Sequence, residues 1–119
     1  ATQAAINIWK QFLIRYPDSE YREEVEIKIL ASKEKLAKKE LDIAIFYSKK
    51  QEWEAVRRRT EFLMQTYPAS SHIPEALFFN TLSYALLGQG HIATKKRETL
   101  QTLDPMLVQK LESRIQKGR

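Results

Sequence analysis

The sequence predicts an all-α protein, a solenoid of helical hairpins with about six helices, one of them a long helix near residues 20–50. Three observations carry that prediction. Helix breakers are few: the prolines are Pro17, Pro68, Pro74 and Pro105, and the glycines are Gly88, Gly90 and Gly118. No stretch alternates apolar with polar residues while rich in valine, isoleucine and threonine, so strand signals are missing. Between the breakers, apolar residues recur at helical spacing.

The first helix is expected over Thr2–Arg15, where Ala5, Ile8, Trp9, Phe12 and Leu13 make one apolar face. Tyr16-Pro17-Asp18-Ser19 stops it. Asp18 or Ser19 can cap the next helix, with Glu23 and Glu24 in its first turn. That helix carries Val25, Ile29, Leu36, Ile43 and Tyr47 along one stripe, with Leu30, Ala37, Leu41, Ala44 and Ile45 beside it. The pattern keeps phase to about Lys50, which gives a helix of ~42 Å at ~1.5 Å per residue; a break near Lys38–Lys39 is the alternative. A turn at Lys50-Gln51-Glu52 leads into a helix from Trp53 to about Tyr67, ended by Pro68. Pro74 suits a first helical turn, and Glu75–Leu87 follows. Gly88-Gln89-Gly90 closes that helix and opens the next, His91–Leu103. After Asp104-Pro105 a last amphipathic helix carries Met106, Leu107, Leu111 and Ile115.

Composition sets limits on function. At 119 residues the chain is one domain, long enough to build a core without staples. The absence of cysteine excludes disulfides, iron–sulfur clusters and thiol nucleophiles. His72 and His91 are the only histidines and lie far apart in sequence, so no metal site is expected. No apolar run approaches the ~18 residues of a membrane span. The opening Ala1-Thr2-Gln3-Ala4-Ala5 is already helix-like and unlike a signal peptide, which reads as a cut inside a helix and hence as a fragment of a longer protein. The net charge of +5 arises from clusters such as Lys33/Lys35/Lys38/Lys39 and Arg57/Arg58/Arg59, interleaved with glutamates. Mixed signs at i,i+4 spacing are the mark of solvated helix faces. No nucleic-acid module signature accompanies the charge, so nucleic acid is not an expected partner.

An internal repeat is present. In the helix–turn–helix repeat called TPR, an aromatic late in the first helix is followed at set intervals by a turn residue, a small residue and a proline. Starting from Tyr47 that series falls on Trp53, Val56 and Pro68; starting from Tyr84 it falls on Gly90, Ala93 and Pro105. The second set matches closely, while the first has valine in the small position. The chain then divides, within a single domain over 1–119, into a half repeat over 2–17, a long helix and repeat over 20–68, a repeat over 74–105 and a capping helix over 106–117. The aromatics Trp9, Phe12, Phe46, Tyr47, Trp53, Phe62, Tyr67, Phe78, Phe79 and Tyr84 are expected in core and inter-helix packing.

No catalytic constellation accompanies this scaffold. Gly88-Gln89-Gly90 lacks the further glycine and the preceding strand of a phosphate loop. No serine sits in a nucleophile elbow, and the glutamates are spread over helix faces. His72 reads as a surface or helix N-terminal residue, and His91 likewise. A binding module without cofactor is expected, not an enzyme.

The order Tyr16-Pro17-Asp18-Ser19-Glu20-Tyr21, Lys35-Leu36-Ala37-Lys38-Lys39-Glu40-Leu41, Ala44, Phe46-Tyr47, Trp53-Glu54-Ala55-Val56, Arg59 and Tyr67-Pro68 resembles the BamD (ComL) family, TPR lipoproteins of the outer-membrane protein assembly (BAM) complex. The resemblance covers roughly residues 4–105, and the long unbroken segment before Tyr47 is its most specific feature. It implies the C-terminal half of a non-catalytic scaffold at the periplasmic face of the outer membrane. The implied partners are the POTRA region of BamA and other BAM lipoproteins. The membrane is reached only through a lipidated N-terminal cysteine, which this chain lacks. The resemblance places a partner-binding arginine on Arg59 and a basic turn residue on Lys50. The chain departs from the family by setting Arg57 and Arg58 beside Arg59. Successive helix positions diverge by ~100°, so all three cannot face one partner. Arg59 could instead pair within the chain, with Glu40, Asp42 or the neighbourhood of Glu61. Another periplasmic TPR adaptor, of the Tol-system coordinator type, is the alternative. The longer interval from Pro17 to Pro68 than from Pro68 to Pro105 argues against its regular spacing.

Overall fold

A computed structural model describes residues 2–118. It is all-α among those residues, with six helices: α1 (Gln3–Arg15), α2 (Arg22–Lys49), α3 (Trp53–Thr66), α4 (Ile73–Leu86), α5 (Gly90–Leu103) and α6 (Pro105–Gly118). Each helix packs on the next in order, and α4 also packs on α2 and α6. This sequential stacking is the TPR-like arrangement that the repeat spacing predicts. The molecule is elongated, 55 × 27 × 19 Å.

Helix ends follow local chemistry. Thr2 caps α1, its hydroxyl accepting from the Ala5 amide at 3.2 Å. The cap expected of Asp18 or Ser19 for α2 is not made. Ser19 Oγ instead accepts from the Tyr21 amide at 3.1 Å, within the turn, and α2 starts three residues after Ser19 without a side-chain cap. Its carboxylates Glu23 and Glu24 face the positive end of the helix dipole. α2 runs unbroken for 28 residues. Neither proline nor glycine interrupts it, and i,i+4 ion pairs such as Arg22–Glu26 (2.8 Å) and Lys38–Asp42 (3.1 Å) brace its exposed side. The left-handed turn that ends α2 falls on Gln51, with φ +59°, and the one after α4 falls on Gly88, with φ +82°.

The core lies between α2, α3, α4, α5 and α6, around Leu41, Val56, Leu63, Leu82, Leu100 and Leu111. α4 is its axis: every residue from Ala76 to Ser83 is buried. A helix without a polar face is stable only when neighbours surround it, and four do here. Its buried polar side chains bond locally or across to α3, with one atom excepted. Thr81 Oγ1 donates to the Leu77 carbonyl at 2.7 Å, and Asn80 Nδ2 donates to Thr60 Oγ1 at 3.0 Å. Asn80 Oδ1 is buried without a partner.

Packing revises three expectations. In α2 the buried line runs through Ile29, Ser32, Ala37, Leu41, Ala44 and Ser48, whereas Val25, Leu36, Ile43 and Tyr47 sit at its flank and Leu30 is exposed. Small side chains admit the neighbouring helix and so take the centre of the contact. In α1, Ile6 is fully buried and Ile8 faces out. Phe46 and Phe62, expected in the core, are 53% and 49% exposed; each lies on the outward side of its helix.

Candidate partner-binding site

α2 and α3 diverge to leave a cleft of about 530 Å³ lined by Glu40, Tyr47, Glu52, Ala55, Arg58, Arg59 and Phe62. On α3 the lining follows one helical stripe, at positions 55, 58, 59 and 62, and that spacing alone turns two arginines and a phenylalanine outward together. On α2, Glu40 and Tyr47 stand two turns apart on the same side.

The three consecutive arginines separate as helix geometry requires. Arg57 turns toward α4: its guanidinium bonds Glu54, its Nη1 donates to Glu61 Oε2 at 3.0 Å, and the group lies 5.9 Å from the centre of the Tyr84 ring. The Tyr84 hydroxyl donates to Glu61. Hydrogen bonding to Glu54, and then to Tyr84, holds Arg57 protonated well above its ordinary value. The bond to Glu61, then burial, raises the Tyr84 phenol. Arg57 is therefore part of the α3–α4 packing.

Arg59 turns to α2. Its Nη1 donates to Glu40 Oε2 at 3.2 Å. The arginine side chain is 45% exposed and the glutamate 16%, so the carboxylate is the seated partner and the guanidinium reaches out from it. Burial, and then the negative charge of Glu40, push the Tyr67 phenol up. Arg58 lines the same cleft and makes no ion pair among the described residues.

Lys50 does not line the cleft. Its ammonium sits 4.7 Å above the Phe46 ring, a cation–π contact at an exposed site. Phe46 packs edge-on against Tyr47, with ring centres 5.5 Å apart, and Tyr47 does line the cleft. Lys50 thus reaches the edge of the cleft through Phe46 and Tyr47, while Arg59 pairs with Glu40. Arg58, Phe46 and Phe62 are members of this surface that sequence reasoning did not select. The outward stripe at 55, 58, 59 and 62 was the signal that could have found two of them.

Among the described residues no group of histidine, aspartate and glutamate could hold a metal ion. His72 is the residue before α4, with Nε2 3.6 Å from Glu34 Oε1; His91 is exposed at the start of α5. Among the described residues no helix is long and apolar enough to cross a membrane. The cleft can dock a surface that carries a carboxylate and an apolar group.

Residues 1–100 match the family described as YfiO, outer membrane lipoprotein. The chain is 31% identical over 105 residues to the outer membrane protein assembly factor BamD of Xylella fastidiosa, covering 88% of this chain and 36% of that protein. It is 32% identical over 104 residues to BamD of Vibrio cholerae, covering 87% and 43%. Against BamD of Neisseria meningitidis the identity is 24% over 105 residues, covering 88% and 39%. The chain therefore spans about two-fifths of the length of the curated relatives it matches.

Proposed function

The chain belongs to the YfiO family of outer membrane lipoproteins, and from that premise we propose that it is a non-catalytic docking module in outer-membrane protein assembly. In this reading it binds the POTRA region of BamA through the α2–α3 cleft, at the periplasmic face of the outer membrane. The lipid anchor and the contacts to other lipoproteins of the complex belong to the whole protein.

One observation supports the reading above others: Arg59 is held by a mostly buried carboxylate yet remains half exposed in a cleft. Glu40 engages a single nitrogen of the guanidinium. A guanidinium has further donors in the same plane, which a second carboxylate can take in bidentate fashion. Glu40 thus orients Arg59 and leaves its outer edge for a partner. Arg58 adds positive charge at the rim, Phe62 offers an apolar contact, and Lys50 extends the basic edge over Phe46. No bond is made or broken; the work is rigid docking.

Calorimetric titration of the chain with the POTRA region of BamA from the same organism, at two salt concentrations, tests the reading. Saturable binding that Arg59→Ala weakens is the expected result. Binding that ignores Arg59→Ala would leave the partner and remove the cleft. No binding by the folded chain would remove the partner.

A further inference from the structure

A second surface, where α6 meets α4 and the α2–α3 turn, has a different character. Two neighbouring clefts open there, and they share Arg114 as a common wall. One, of about 340 Å³, lies between α4 and α6 over Phe78 and Phe79. The other, of about 210 Å³, lies where the end of α6 meets Leu86 and the α2–α3 turn. At Gly118 α6 comes close to α4: a Cβ built there would stand 2.8 Å from the methyl end of the Leu86 side chain.

The charge across both clefts is one-sided. Lys49, Lys110, Arg114 and Lys117 line them, against the single carboxylate of Glu75. None of these cations makes an ion pair among the described residues; Glu112, the acid of α6, is taken by Arg97 of α5. On α6, Leu107, Lys110, Arg114 and Lys117 follow at intervals of three and four, which is one helical stripe. The floor beneath is apolar, with Phe78 and Phe79 only 5% and 7% exposed.

We infer that the two clefts form one docking groove for an acidic peptide segment of a partner protein, with carboxylates over the α6 cations and apolar side chains lowered onto Phe78, Phe79 and Leu107. Charge complementarity selects the acidic partner. The recessed floor selects a peptide over a lipid surface, because membrane contact uses apolar groups that protrude, and here they lie below the cations. The linings of this groove and of the Arg59 cleft share no residue, so either can fail without the other.

The test uses the whole chain and a short fluorescent synthetic peptide that alternates glutamate with leucine and phenylalanine. Lys110→Glu with Arg114→Glu should weaken its binding by about tenfold or more. Lys35→Glu with Lys39→Glu, the same charge change on the outside of α2, should weaken it by less than about twofold. Ser113→Trp, at an exposed position on the groove wall, should block binding with no change in net charge. Arg59→Ala should leave binding unchanged. Equal losses in the two charge-reversed pairs would overturn the inference in favour of diffuse attraction. So would undiminished binding to Ser113→Trp, or no peptide binding at low ionic strength. Phosphatidylglycerol vesicles that bind through Lys110 and Arg114 where the peptide does not would replace the peptide with a membrane.

Discussion

The N-terminal arm, made of α1 and the first half of α2, and the block formed by α3–α6 are built from the same amphipathic helices but differ in their neighbours. In the block, α4 is enclosed by four helices and buries eight consecutive residues. In the arm, α1 packs on α2 alone among the described helices, and Ile6 is its one buried residue. Ile8, Ile14, Ile27 and Leu30 remain exposed along the arm. Hydrophobic content is therefore a poor guide to stability in a stacked fold; what counts is how many flanking units cover it. The proposed docking surfaces lie on the block and on the second half of α2 that packs against it.

The largest test of this contrast is Leu82→Ala in the block, expected to lower global stability by about 3 kcal/mol through cavity formation. Ile6→Ala removes an equally buried side chain from the arm. Native-state hydrogen exchange should show its effect confined to α1 and the start of α2, and loss of protection in α4 would mean that the two regions unfold together.

Arg59→Ala separates binding from folding. If the outer edge of Arg59 meets a desolvated carboxylate, affinity for the POTRA region should fall by about 2–5 kcal/mol. The half-exposed pair with Glu40 should contribute under about 1 kcal/mol to denaturant stability. A large stability loss would recast Arg59 as a structural residue.

A smaller, pH-dependent effect is expected where arm and block meet. Glu34 of α2 accepts from the Ser70 hydroxyl and, at 3.1 Å, from the Ser71 amide, pinning the α3–α4 loop. Those bonds, the Ser70 one first, hold its carboxyl below the ordinary value. A depressed carboxylate stabilises the fold above its unfolded pKa, and that stability is lost as pH falls through its folded one. Urea midpoints measured down the acid range should therefore fall less steeply in Glu34→Gln than in the parent. At the turn between α2 and α3, Gln51→Gly should raise stability slightly, by about 0.5 kcal/mol in denaturant unfolding, because Gln51 holds a left-handed conformation suited to glycine.

Much of this architecture was legible in the sequence, for identifiable reasons. Proline and glycine positions marked the other helix junctions to within about two residues, while the apolar pattern, in phase to about Lys50, foretold both the continuous α2 and the turn at Lys50-Gln51-Glu52 that ends it. The family resemblance carried by Tyr16–Tyr21, Phe46-Tyr47 and Trp53–Val56 is borne out. What periodicity missed was packing geometry. It ranked Leu36 and Ile43 above Ala37 and Ala44 because it weighs apolar size, whereas a close helix contact rewards a short side chain. It also placed Phe46 and Phe62 inside, because an aromatic at a partner surface has the same composition as one in a core. At the candidate site, the Glu40 pairing of Arg59 was one of several geometries open to the sequence. The groove of Lys110 and Arg114 needed α6 folded onto α4 to become visible.

The unbroken course of α2 turns chain length into both a ruler and a clock. One residue added to or removed from it would shift α1 by ~1.5 Å along the axis and swing it by ~100° around it. Seven residues, close to two full turns, would restore the bearing at a longer reach. A surface carried by the arm is thereby held at a set distance and azimuth from one carried by the block. Insertions in α2 at a length that breaks that phase would leave both surfaces intact and still prevent one partner from meeting the other.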